Sequence, residues 1–129
     1  MQNQHQRTLL VIDDEPLMTD MLGQAMTKRL FHVLVASSGK DAMQMLDHLE
    51  GAVDLVLTDM TMPDMDGLAV AHELISRLPG VPVMITTGHD LDAKQMNLPP
   101  NVIEIVRKPY STRTLAAHIN DILDKRGIS

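Results

Sequence analysis

The 129-residue sequence has no cysteine and no tryptophan, and Phe31 and Tyr110 are its only aromatic residues. Without cysteine there is no disulfide framework, no thiolate zinc site and no cysteine nucleophile. Basic residues are in the minority: 11 Lys plus Arg stand against 17 Asp plus Glu, for a formal charge of −6. That balance disfavours direct nucleic-acid binding, which draws on a basic surface to displace counterions from phosphates. It suits a divalent cation or a basic patch on a partner. Long apolar runs are missing too. The polar residues 1–7 and the short apolar run 9–12 fit neither a signal peptide nor a membrane span, so a cytoplasmic location without a membrane partner is expected. With 44% hydrophobic and 22% charged residues the composition is that of a folded domain. The length suits one such domain, expected over residues 8–128 after a flexible N-terminal tail, 1–7.

What the sequence does contain is regular. Apolar runs rich in Val, Ile and Leu recur at 8–12, 33–36, 54–58, 81–86 and 102–106, with little polar alternation. Strands buried on both faces read this way. Between them lie helical stripes: Leu17, Met21, Leu22 and Met26; Ala42, Met45, Leu46 and Leu49; Leu68, Ala71, His72 and Ile75; Leu115, Ile119, Ile122 and Leu123. Ser38, Asp66 and Ser111 are placed to cap helices, Pro16 to open one and Gly127 to stop the last. Residues 90–98 carry only a weak stripe before Pro99-Pro100. Strand–helix alternation of this kind predicts an α/β domain, a parallel sheet covered on both faces. Most of the 11 methionines fall on or near these stripes and read as core filler in a chain so poor in aromatics; packing is also the reading for Met62 and Met65.

Ligands of an open parallel sheet bind outside the carboxyl ends of its strands. The first run ends in Asp13-Asp14-Glu15, the third in Thr58-Asp59, the fourth in Thr86-Thr87-Gly88 and the fifth in Arg107-Lys108-Pro109. Any one of these residues alone is ordinary cap, turn or surface chemistry. Together they bring acids, hydroxyls and a lysine to one sheet edge. Carboxylates without His or Cys form a hard oxygen site suited to Mg²⁺ or Mn²⁺. A nearby lysine and hydroxyl can neutralise and hydrogen-bond phosphoryl oxygens, and a carboxylate can attack phosphorus.

The stretches Leu9-Leu10-Val11-Ile12-Asp13-Asp14-Glu15-Pro16, Leu57-Thr58-Asp59-Met60-Thr61-Met62-Pro63-Asp64-Met65-Asp66-Gly67, Pro82-Val83-Met84-Ile85-Thr86-Thr87-Gly88 and Lys108-Pro109-Tyr110 resemble the receiver domain of two-component response regulators, the CheY-like family. The resemblance implies a flavodoxin-like (βα)5 three-layer sandwich with strand order 2-1-3-4-5. It implies Asp59 as phosphoryl acceptor, and Mg²⁺ held by Asp13, Asp14, Asp59 and the backbone carbonyl of Thr61. Lys108 and Thr87 would contact the phosphoryl group. Pro63 and Gly67 would shape the loop after Asp59. The donor would be a sensor histidine kinase, a histidine phosphotransfer protein or a small acyl phosphate, and the downstream effector is not specified. Such a domain is not a turnover enzyme; it catalyses only its own phosphorylation and dephosphorylation. Thr61 and His89 correspond to positions that would tune phosphate lifetime.

Three departures from the family stand out. Ile105 occupies a position often aromatic, which removes a rotating-ring switch. Gly88 replaces a common alanine. Asn97-Leu98-Pro99-Pro100-Asn101 replaces the usual segment before the fifth strand, on a face where many members dimerise or dock partners. Two other classes remain open on the sequence: a receiver-like interaction module that never takes phosphate, and an aspartyl-phosphate phosphohydrolase. The latter lacks its Asp-x-Asp motif and room for a cap, and a nucleotide-binding protein of this fold lacks a Gly-rich phosphate loop. The residues after Lys108 suffice for one closing helix, so output through a separate partner is expected. Six acids (Asp13, Asp14, Glu15, Asp59, Asp64 and Asp66) fall in two strand-end loops, which gives much of the acidity a local address.

Overall fold

Five strands run parallel: β1 (Thr8–Ile12), β2 (His32–Ala36), β3 (Leu55–Asp59), β4 (Val83–Thr87) and β5 (Val102–Arg107), in the order β2-β1-β3-β4-β5. The computed structural model describes residues 6–88 and 97–127; residues 1–5, most of the expected tail, and the weak helical segment 90–98, up to residue 96, lie outside them. Among the described residues four helices cover the sheet: α1 (Pro16–Thr27), α2 (Gly39–His48), α3 (Gly67–Arg77) and α4 (Thr112–Lys125). This is the flavodoxin-like arrangement the motifs imply.

The caps are made by the residues whose chemistry favours them. The Ser38, Asp66 and Ser111 side chains accept from the backbone N–H of Asp41 (3.0 Å), Ala69 (2.8 Å) and Thr114 (3.2 Å). Pro16 is the first residue of α1, where its missing N–H costs nothing. Gly127 has a φ of 77°, a left-handed stop just past α4. The Asp41 carboxylate accepts from the Ser37 hydroxyl at 2.6 Å.

Two apolar layers form, one on each sheet face. Leu10, Ile12, Val56 and Ile85 pack with Ala42, Met43, Val70 and Leu74 of α2 and α3. Leu9, Val11, Leu55 and Met84 pack with Leu22 and Met26 of α1 and Leu115, Ile119 and Leu123 of α4. Arg7 closes the second layer's rim: its guanidinium donates to Asn120 Oδ1 (2.7 Å) and Asp124 Oδ1 (2.6 Å) on α4.

Some sequence expectations are corrected. Only β1, β3 and β4 are buried throughout; β2 and β5 are edge strands and are partly exposed, although their sequences are as apolar. The β4 strand starts at Val83 rather than 81, and β3 and β4 each reach one residue further than expected, so that Asp59 and Thr87 are strand residues. On α1 the inward face is Thr19, Leu22 and Met26, while Leu17 and Met21 are 70% and 47% exposed. At about 100° per residue, Leu17 and Met21 stand well round the helix from Leu22. On α3 the buried residues are Gly67, Val70, Ala71 and Leu74; His72 and Ile75 face outward.

Leu22 is fully buried and Leu17 is not. Leu22→Ala should therefore cost about 2–5 kcal/mol of unfolding free energy, and Leu17→Ala about 0.5 kcal/mol or less. Urea denaturation of the two variants checks the assignment of the α1 face.

Candidate functional site

Register builds the site. Ile12 of β1 pairs with Thr58 of β3, so the next residues, Asp13 and Asp59, leave adjacent parallel strands side by side. Asp59 in turn pairs with Thr86 of β4, and Thr87 with Arg107 of β5. The carboxyl ends of four neighbouring strands therefore open onto one crevice. It lies beside β1 and β3, where the strand order reverses.

Carboxylate oxygens of Asp13, Asp14 and Asp59 all lie within 4.8 Å of one another. Asp13 and Asp59 are buried and Asp14 is exposed. The Lys108 ammonium reaches in from the end of β5, 3.2 Å from Asp59 Oδ2 and 3.4 Å from Asp13 Oδ2. Thr87 is buried at the end of β4, and its carbonyl accepts the Lys108 N–H at 2.7 Å. Thr61 donates its N–H to Asp59 Oδ1 at 3.4 Å, which sets the Thr61 backbone beside that carboxylate. The structure thus gathers Asp13, Asp14, Asp59, Lys108 and the Thr61 backbone around one acidic pocket, with Thr87 at the end of the neighbouring strand. His89 lies outside the described residues. Glu15, given no role from sequence, has Oε1 3.7 Å from the Lys108 ammonium; its place in the Asp13-Asp14-Glu15 run was the available signal.

The loop after Asp59 is fixed by close backbone approach. Met60 donates its N–H to the Thr86 carbonyl and accepts from the Gly67 N–H, both at 2.8 Å. A Cβ at Gly67 would lie 2.8 Å from the Asp59 carbonyl oxygen, so only glycine fits. Met62 turns into the first apolar layer, as packing predicts. The departures have local outcomes. Ile105 packs partly buried against that same layer. At Gly88 a Cβ would meet nothing within 4 Å. The altered segment is anchored through the Asn101 side-chain amide, which donates to the Ala71 carbonyl of α3 at 2.8 Å.

Charge is the site's dominant feature. Burial first, and Asp59 beside it, push the Asp13 carboxyl above its usual range, against the Glu15 N–H and Lys108, which pull it down. Burial disfavours the charged Lys108, but the facing Asp13, Asp59 and Glu15 outweigh it and hold its ammonium above its usual range. The clustered carboxylates of Asp13, Asp14 and Asp59 against one ammonium leave two negative charges, and the exposed Glu15 adds another at the rim. At an effective dielectric of 20, two like charges about 5 Å apart repel by roughly 3 kcal/mol. The donor set is oxygen only, so it fits a hard divalent cation such as Mg²⁺.

The family model for the response regulator receiver domain matches residues 9–120. The chain belongs to that family. The sensor kinase CckA of Brucella abortus (strain 2308) is 32% identical over 120 residues, 92% of this chain and 13% of that protein. A receiver-domain protein from Clostridium thermocellum superposes with a TM-score of 0.81 at 30% identity, covering 94% of this chain and 97% of that one. The response regulator TrrA of Thermotoga maritima, solved in complex with Mg²⁺ and BeF, has a TM-score of 0.77 over 91% of this chain and 99% of that one. At 24% identity this last likeness is one of fold. The receiver domain spans about half or less of the length of the curated relatives it matches. Among the described residues no helix is long and apolar enough to cross a membrane.

Asp13 has a raised pKa, so the folded chain binds protons more tightly there than the unfolded chain. Its contribution to stability is present below the unfolded value and is lost as pH rises through the folded one. In metal-free buffer Asp13→Asn should raise the midpoint of thermal unfolding near pH 7. The gain over the parent should vanish as pH falls below about 4, where both states of the parent are protonated. Melts at the two pH values check it; a lower midpoint at pH 7 contradicts the charge assignment.

Proposed function

We propose that this receiver domain accepts a phosphoryl group on Asp59 in a Mg²⁺-dependent reaction and controls a partner through the result. One observation carries the reading: a buried strand-end carboxylate, Asp59, stands within 4.8 Å of two more carboxylates and 3.2 Å from a lysine. A purely structural acid cluster would gain nothing from that repulsion. A cation-binding acceptor requires it.

An Asp59 oxygen attacks phosphorus, and the new O–P bond forms as the donor's P–N or P–O bond breaks, its electron pair leaving with the donor. The burial of Asp59 limits the approach of water to the acyl phosphate. Lys108, fixed through its backbone to Thr87, places its ammonium on a phosphoryl oxygen, and the Thr87 hydroxyl donates to another. Asp13, Asp14, Asp59 and the Thr61 carbonyl would hold Mg²⁺, which supplies charge neutralisation of the phosphoryl oxygens. The ion's two charges would offset the surplus of the three clustered carboxylates over Lys108, and the incoming group adds about −1.5 to −2. Mn²⁺ suits the same oxygens. The complex of the fold relative TrrA with Mg²⁺ and BeF supports this choice of ion.

The donor in this reading is a sensor histidine kinase or histidine phosphotransfer protein, consistent with the match to part of a sensor kinase. Residues 8–128 form the receiver unit, located in the cytoplasm, and catalyse only their own phosphorylation and dephosphorylation. Thr61 and His89 set the phosphate lifetime.

Incubation with acetyl phosphate and Mg²⁺ should add one acid-labile phosphate, seen by intact-mass spectrometry, to the parent and none to Asp59→Asn. Chelation of Mg²⁺ should abolish the uptake. Equal phosphate on Asp59→Asn would place the acceptor elsewhere.

A further inference from the structure

The β1–β3 ladder ends at Ile12 and Thr58, one residue short of the carboxylates. Asp13, in the loop after β1, and Asp59, the last residue of β3, repel each other just beyond the end of this ladder. A third segment, residues 36–40 between β2 and α2, places no residue in the acid cluster yet is bonded to both loops. On one side the Ala36 carbonyl accepts the Asp13 N–H at 3.1 Å. On the other, the Lys40 N–H in the first turn of α2 donates to Asp64 Oδ2 at 2.8 Å, and Asp64 Oδ1 accepts from Met65 N–H at 2.8 Å. Asp64 belongs to the loop that begins at Asp59. Its carboxylate sits at the positive end of α2, which favours an anion there. The contact is close as well as polar. A Cβ on Gly39 would lie 2.9 Å from Met65 Cβ and 3.0 Å from Val70 Cγ2, so the two segments meet at a distance only glycine permits.

We propose that the β2–α2 junction is the spacer that sets the separation of the Asp13–Asp14 loop from the Asp59 loop, with Asp64 and Gly39 as its positioning residues. This rests on the Mg²⁺ reading of the pocket and assigns that reading a support outside the ligand set. The Lys40 amide, and then that of Met65, hold the Asp64 carboxyl below its usual range, so the clasp stays charged through neutral and mildly acidic pH. Asp64 is not one of the clustered carboxylates. It acts by holding the Asp59 loop, and with it the Thr61 carbonyl, against the junction that also holds Asp13.

The test is titration of the full chain with MgCl₂, followed by backbone amide NMR shifts, for the parent, Asp64→Ala and Asp64→Asn. Removal of supporting contacts around a metal site lowers affinity by about tenfold or more. Asp64→Ala should weaken Mg²⁺ binding by about three- to tenfold, because Asp64 acts one step further out. Asp64→Asn keeps an acceptor for the Lys40 amide and should stay within about twofold of the parent, since Asn caps as well as Asp. With acetyl phosphate, Asp64→Ala should show a raised half-saturating Mg²⁺ concentration and a near-parental rate at saturation. Equal affinities for all three proteins overturn the spacer. An equal loss in the Ala and Asn variants also overturns it, since that would be a bulk charge effect. A parent that shows no Mg²⁺ response overturns the metal reading itself, and the spacer with it. Gly39→Ala provides the steric arm: where it retains the parent's circular dichroism it should weaken Mg²⁺ binding like Asp64→Ala, and parental affinity in the folded variant counts against the spacer.

Discussion

Repulsion between carboxylates at one end of a parallel sheet is the constraint on which the rest of this structure turns. Asp13 and Asp59 are both buried and share one lysine, whose ammonium is 3.4 Å from one and 3.2 Å from the other. This placement costs stability, since burial raises the cost of each charge. The surroundings must hold them against that cost. Burial of Leu9, Leu10, Ile12, Leu55 and Val56, each fully removed from water, contributes about 1.5–3 kcal/mol per side chain. The two strands that deliver the acids are thus, like β4, anchored along their whole length in the core.

The loops complete that restraint by backbone contacts rather than side-chain ones. Met60 is held at both ends, by Thr86 and by Gly67, and Lys108 is held by Thr87. The Thr86 and Thr87 bonds tie the residues that follow β3 and β5 to the end of β4, and the Gly67 bond closes the β3–α3 loop on itself. The price of such closeness is a restricted choice of residue at Gly67 and Gly39, where a methyl group would collide with backbone or packed side chains.

The sheet and the acidic edge were legible because both rest on local signals. Apolar runs bounded by turns give the strands, and the residues that follow each run give the crevice. Ser38, Asp66 and Ser111 were legible as caps because capping is a contact across three residues. What failed depends on tertiary context. The sequence of β2 is as apolar as that of β1, and nothing within it says that it lies at the edge. Leu17, Met21 and Ile75 extend apolar stripes, yet the rotation of each helix is set by what the sheet offers it. Gly39 and Asp64 are 25 positions apart, and only the fold brings them to one junction; as single residues they read as an ordinary helix start and an ordinary loop acid.

The overall charge of −6 gains a different meaning from this geometry. Spread evenly, it would serve solubility. Two buried and one exposed carboxylate within 4.8 Å, facing one ammonium, instead form a site whose own charge is out of balance by two. A pocket with two further lysines would be balanced and would have far less electrostatic use for a divalent cation. The imbalance therefore favours positive charge in the pocket. Lys108, whose ammonium faces these carboxylates, leaves β5 beside the end of β4, where its backbone N–H donates to the Thr87 carbonyl. The compensating charge thus starts from a strand end held against its neighbour.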